Sequence, residues 1–193
     1  MAAVQVLRAA AHAAVPWKNG GGVTHEVAVH PQGAGFDTLD WRVSIAQVRS
    51  AGPFSSLPGL DRRLAVLEGT LAIALGEAPE TVLSAGAPPL HFPGEAPVQA
   101  HPVDGPVTDL NIMTRRGRFS SAVALHDVQS STRVASGPGS LLVLALTDLQ
   151  LKADQADWRL SYLDAARIDG DCAFEILPSG AQARFYVIRM TRV

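Results

Sequence analysis

Residues 40–48 read DWRVSIAQV, and their alternation sets the fold class. Successive side chains of a strand point to opposite faces, so Trp41, Val43 and Ile45 share one face and Arg42, Ser44 and Ala46 the other. TDLNIM, residues 108–113, repeats the pattern, with Leu110 and Ile112 on one face and Asp109, Asn111 and Met113 opposite. RRLAVLEGTLAIAL, residues 62–75, reads as two strands joined in a hairpin at Glu68-Gly69. SLLVLALTDLQL, residues 140–151, is β-rich and buried in character. AFEILPSGAQARFYVIRMTRV, residues 173–193, reads as a second hairpin turning near Pro178-Ser179-Gly180. The two Gly-turn hairpins, Leu64 to Leu75 and Phe174 to Met190, form an internal echo that two related β units would explain. Residues 117–140 read as the connection between the halves, strand-like at the start and loop-like at the end.

The 13 prolines and 17 glycines are scattered and leave little room for helix, at most a turn or two at Ser55 to Leu60. Short strands at this spacing indicate an all-β sandwich or barrel. With 47% hydrophobic and 18% charged residues, the chain can build a sizeable core and is not of the disordered class. The net charge of −2 is spread along the chain, which argues against nucleic acid as a partner. Cys172 is the single cysteine, so neither a disulfide framework nor a thiolate zinc cluster can form within the chain. The N-terminal MAAVQVLRAAAHAAVPW carries Arg8 and His12 and lacks a signal-peptide core, and no apolar run is long enough to span a bilayer. The expectation is a cytoplasmic protein with no membrane partner.

The polar strand faces admit two readings. Arg42, Ser44, Asp109 and Asn111 can be the wet side of half-buried strands, which composition alone favours by roughly two to one. In a small barrel the inward face can instead line a ligand cavity. Arg42 would then offer a fork for a carboxylate, with Asp109 and Asn111 on a neighbouring strand. VPWKNGGGVTHE, residues 15–26, is either a plain loop or a stretch of exposed backbone N–H groups with Lys18 and Asn19 beside them. It has neither Walker nor GxGxxG spacing. GPFSSLPGLDRRL, residues 52–64, is either a structural cap or a cavity lip, with Phe54 as an apolar wall and Arg62 at the mouth. The six histidines form no HxH or HExxH pair, and His25 and Glu26, adjacent in a strand, point apart. No GxSxG occurs, and Cys172 in GDCAFE has no histidine nearby in sequence. No metal, cofactor or covalent nucleophile is therefore expected.

Three blocks carry a family resemblance: VPWKNGGGVTHEV, DWRVSIAQVRSAGPFSSLPGLDRRLAVLEG and DLNIMTRR. Taken in this order they resemble the signature blocks of the HutD/Ves family; the rest of the chain fits by length and β-rich pattern. The resemblance implies a cupin-like (RmlC-like) jelly-roll fold, with two β-barrel halves packed in one chain as a single 1–193 unit, approximate halves 1–118 and 119–193. It also implies a bacterial protein tied to histidine utilisation, binding a metabolite such as urocanate or formylglutamate and moderating pathway flux. The metal-cupin signature of His-x-His with a later Glu and His is absent from the sequence. Barrel geometry tips the polar faces towards a cavity. In the first block Lys18, Asn19 and Gly21 become ligand candidates, with the glycines pressing the segment against the barrel mouth. In the second these are Arg42, Ser44, Phe54 and Arg62, and in the third Asp109 and Asn111. The leading expectation is a non-enzymatic binder of a small anionic metabolite. The alternative is a metal-independent isomerase or hydrolase using Glu26 or Asp109 as general base. Cupin-like barrels pair through edge strands, which leaves a homodimer open.

Overall fold

A computed structural model describes residues 3–17, 20–153 and 156–193. The chain divides into two compact units: Ala13–Ser120, and the N-terminal segment up to His12 joined with Ser121–Val193. In chain order the strands are β1 (Ala3–Leu7), β2 (Ala13–Pro16), β3 (Gly22–His30), β4 (Trp41–Val48), β5 (Gly52–Pro53) and β6 (Leu60–Glu68). Then come β7 (Thr70–Leu75), β8 (Thr81–Ser84), β9 (Leu90–Pro93), β10 (Val98–Pro102), β11 (Val107–Arg115) and β12 (Phe119–Val128). The last are β13 (Thr132–Ala135), β14 (Ser140–Ala145), β15 (Leu149–Ala153), β16 (Ala156–Leu160), β17 (Ala165–Asp169), β18 (Ala173–Pro178) and β19 (Ala183–Arg192). A single 3₁₀ turn, Ala9–Ala11, is the only helical element among the described residues. None of their helices is long and apolar enough to cross a membrane.

The first unit has sheets ordered β2-β3-β4-β11-β6-β9 and β5-β10-β7-β8. The second has β1-β17-β14-β19-β12 and β13-β18-β15-β16. These orders repeat. The run β9-β6-β11-β4 has its counterpart in β17-β14-β19-β12, and β8-β7-β10-β5 in β16-β15-β18-β13. Each unit is thus the same two-sheet, antiparallel barrel.

The two expected hairpins are corrected by this topology. β6 and β7 lie in different sheets, as do β18 and β19. Gly69 is a corner where the chain passes from one sheet to the other, held at φ +83°. A Cβ there would come within 2.9 Å of the Pro106 carbonyl oxygen. A Glu-Gly step marks a sharp reversal, but its sequence does not say whether the reversal closes a ladder or turns a corner. The echo shifts accordingly: β6–β7 corresponds to β14–β15, and β18–β19 to β10–β11. Ser55 to Leu60 is not helical either. The Leu57 N–H donates to Gly94 at 2.8 Å and the Gly94 N–H to Leu60 at 2.7 Å, which ties the loop to the chain following β9.

Inside the first unit Leu64, Val66, Leu71, Ile73, Phe92 and Val98 pack together. Inside the second, Leu141, Val143, Leu149, Ile176, Phe185 and Val187 do the same. Trp41, Val43 and Ile45 are 0%, 0% and 2% exposed, so the apolar face of β4 is fully removed from water. In the second unit β1 pairs with β17 from Ala3↔Asp169 to Leu7↔Ala165. Buried Asp164 fastens the segment that follows β1: it accepts the Ala9 N–H at 2.8 Å and pairs with Arg8 at 2.7 Å.

Trp41→Ala should lower stability by about 3–5 kcal/mol in chemical denaturation, as expected for deleting a fully buried aromatic. Gly69→Ala should cost at least about 1 kcal/mol, because an L side chain at positive φ is strained even before it meets Pro106; an unchanged denaturation midpoint would show that the corner can relax.

Candidate functional site

Strand parity turns Arg42, Ser44 and Ala46 of β4 and Asp109, Asn111 and Met113 of β11 into the first barrel. There they line a cavity of about 710 Å³. β4 and β11 are direct neighbours, with Asn111 opposite Ser44 and Asp109 opposite Ala46. β6 flanks β11 on the other side and contributes Arg62, opposite Met113. Two irregularities adjust what faces the hollow. The β3–β4 register slips between Glu26 and Ala28, and the β11–β6 register slips between Thr108 and Asp109. Bulges of this kind re-aim side chains locally; one sits beside Asp109 of the cavity wall and the other beside Glu26, the partner of Arg42.

Among the described residues Arg62 is the most deeply held cation, 5% exposed. Its Nη2 donates to Asn111 Oδ1 at 2.8 Å, and its guanidinium lies 4.9 Å from the Phe54 ring centre and 5.2 Å from that of Phe92. Asn111 Nδ2 in turn donates to Asp109 Oδ1 at 2.8 Å. The result is a buried relay, Arg62–Asn111–Asp109, with no direct contact between its charged ends. The Arg62 Nε is buried without a hydrogen-bond partner. Burial pulls the Arg62 pKa down to about 10, against the attraction of Asp109 and with the repulsion of Arg42. Burial pushes Asp109 up to about 7, although the Asn111 hydrogen bond and Arg62 both oppose the rise.

Arg42 is arranged differently. Its Nε donates to Glu26 Oε2 at 2.7 Å in an ion pair, and its Nη1 reaches Ser44 Oγ at 3.4 Å. The Phe36 ring lies 5.3 Å from its guanidinium carbon. Trp17, Phe36, Phe54 and Leu57 supply apolar wall around this polar floor, and Trp17 Nε1 donates to Thr24 Oγ1 at 2.8 Å. The cavity thus offers guanidinium and hydroxyl groups beneath an apolar rim, a pattern suited to a small organic anion. Among the described residues no three His, Cys, Asp or Glu side chains gather as a metal-binding group.

Six of the residues expected from sequence meet here: Arg42, Ser44, Phe54, Arg62, Asp109 and Asn111. Lys18 and Asn19 lie outside the described residues. Gly21 does not line the cavity; its carbonyl accepts the Arg49 N–H at 2.9 Å. The glycines answer to the protein rather than to the hollow. Gly20 turns at φ +71°, and a Cβ on Gly22 would overlap the Gln47 carbonyl oxygen of the neighbouring strand and crowd Trp17. Arg62, placed at the mouth by sequence, sits buried in the wall. Glu26, considered as a base, is committed to Arg42. Phe36 and Leu57 were not legible: each comes from an irregular loop, and no periodic pattern marks them. In the second unit β12, β13 and β19 line a smaller cavity of about 380 Å³ that includes His126, Arg133 and Arg189.

The family model for HutD matches residues 9–185 of this chain. An uncharacterized 21.2 kDa protein in the hutC 3′ region of Pseudomonas putida is 30% identical over 98% of this chain and 98% of its own. Protein Ves of Cronobacter sakazakii is 35% identical over 74% of this chain and 79% of its own. The solved structure of HutD from Pseudomonas fluorescens SBW25, in a formate condition, superposes with a TM-score of 0.83 at 27% identity, covering 99% of this chain and 100% of that one. A cupin 2 conserved barrel protein from Leptotrichia buccalis shares the fold at a TM-score of 0.63 and 11% identity.

The Asp109 titration gives a signed expectation. The carboxyl holds its proton to about 7 when folded and releases it near 3.8 when unfolded, so the folded state carries the extra proton between those values. Stability should therefore fall as pH rises through this window, by at most about 1.4 kcal/mol per pH unit from this group, and level off above it. Thermal melts of wild type and Asp109→Asn across the window should show that slope removed in the variant.

Proposed function

The chain belongs to the HutD family, and we propose that it binds a small carboxylate metabolite of histidine degradation, with urocanate and formylglutamate as the leading candidates, and so moderates that pathway. The observation that carries this reading is Arg62: a guanidinium in the cavity wall, 4.9 and 5.2 Å from two phenyl ring centres and in no ion pair with a carboxylate among the described residues. A cation so poorly compensated for its lost hydration is costly, and a ligand carboxylate meeting it from the cavity would relieve that cost. Arg42 and Ser44 add donors on the adjacent strand, and the apolar rim suits the carbon skeleton of such an acid. The named relatives supply the metabolic context: one sits in a hutC region and another is HutD itself.

A second reading, a metal-independent isomerase or hydrolase, is favoured by one observation. Asp109 is buried in the same cavity with its pKa near 7, where a carboxyl can both give and take a proton. Glu26 is less suited, since its carboxylate is already engaged by Arg42 at 2.7 Å.

Calorimetric titration with urocanate, formylglutamate, histidine and formate tests the binding reading, and no response to any acid would remove it. Arg42→Ala should weaken binding of the responding acid by about 1.5–3 kcal/mol, the worth of charge-assisted hydrogen bonds. Incubation of each compound with the protein, followed by NMR, separates the enzyme reading: product that accumulates with wild type and not with Asp109→Asn would favour catalysis.

A further inference from the structure

We propose that the cavity takes its anion together with a proton: docking of a carboxylate on Arg62 is accompanied by protonation of Asp109. This rests on the carboxylate-binding reading above and specifies how that site balances charge.

The charges facing Asp109 can be taken strand by strand. β6 presents Arg62 and β4 presents Arg42 to the cavity; Glu26 of β3 does not line it but is bound to Arg42 at 2.7 Å. Arg42 and Glu26 cancel as a pair. That leaves Arg62 and Asp109, 5% and 1% exposed, joined only through the amide of Asn111. With Asp109 ionised, this remainder is neutral. A ligand carboxylate on Arg62 then leaves two anions to share one cation in a poorly solvated wall, and like charges so placed favour protonation of one of them. Uptake of one proton from solvent by Asp109 restores neutrality. The balance is one ligand anion and one proton in, with no covalent bond made or broken in the ligand. Asp109 already titrates near neutrality, so the proton is available at little cost. Neutral Asp109 also gains an O–H donor while keeping an oxygen for Asn111, so the hydrogen-bond relay survives the change.

The test is calorimetry of the full chain with formylglutamate, whose carboxylates stay ionised throughout, at about pH 7.5 in Pipes and in Tris, two buffers of different ionisation enthalpy. The expected result is a buffer-dependent enthalpy equivalent to uptake of up to about one proton per ligand, with affinity falling by up to about tenfold per pH unit above neutrality. In Asp109→Asn, checked for folding by circular dichroism, both dependences should vanish. Binding to wild type with no buffer dependence, or proton uptake that persists in Asp109→Asn, overturns the proton coupling and leaves the carboxylate site standing. Absence of binding in both buffers overturns the site itself and the coupling with it. Should the variant not fold, the wild-type buffer and pH series decides alone: a flat series overturns the proposal.

Discussion

The candidate site depends on a guanidinium held where water barely reaches it. Arg62 loses most of its hydration, and in exchange receives two aromatic faces, the Asn111 amide oxygen and, at 3.5 Å, the Ser55 carbonyl. Those contacts compensate only part of the loss, as its lowered pKa shows. The arrangement of Asn111 and Asp109 follows from that placement. Asn111 must turn its oxygen towards Arg62 and therefore its NH2 towards Asp109. Asp109, buried and reached only by that amide, is left close to neutrality in its titration.

The repeat in topology throws this arrangement into relief. The strand pair β6–β11 carries Arg62, Asn111 and Asp109 inward, whereas its counterpart β14–β19 carries Leu141, Val143, Val187 and Phe185 into its own core. The same two-sheet scaffold is thus used in two ways. One copy opens its interior into a polar hollow of about 710 Å³; the other packs these faces with apolar side chains and keeps the smaller cavity of about 380 Å³.

Much of this could be read from the sequence because strand parity is a local property. DWRVSIAQV and TDLNIM each declare which residues travel together, and both divisions hold: Trp41, Val43, Ile45, Leu110 and Ile112 are buried, while Arg42, Ser44, Asp109 and Asn111 line the hollow. The hydrogen bond from Asn111 to Asp109 is likewise local, two residues apart on one face. What could not be read is register between distant strands. The Arg42–Glu26 pair depends on how β3 meets β4, including the slip beside Val27, and the Arg62–Asn111 bond joins positions far apart in the chain. Sheet membership was equally hidden. A glycine reversal looks alike whether it closes a ladder or turns a corner, so the two expected hairpins became crossings between sheets.

The way β1 is used has a bearing on how the protein is made. One barrel is continuous, Ala13 to Ser120, whereas the other takes its edge strand from residues 3–7 and everything else from beyond Ser120. As the nascent chain leaves the ribosome, the continuous barrel can close first, since all its strands have emerged. β1 must meanwhile wait, unmatched, for β17 to be translated about 160 residues later. An unpaired strand held in reserve is exposed to mispairing with other chains. The strand is short, and the Arg8–Asp164 clasp forms only once its proper partner has arrived.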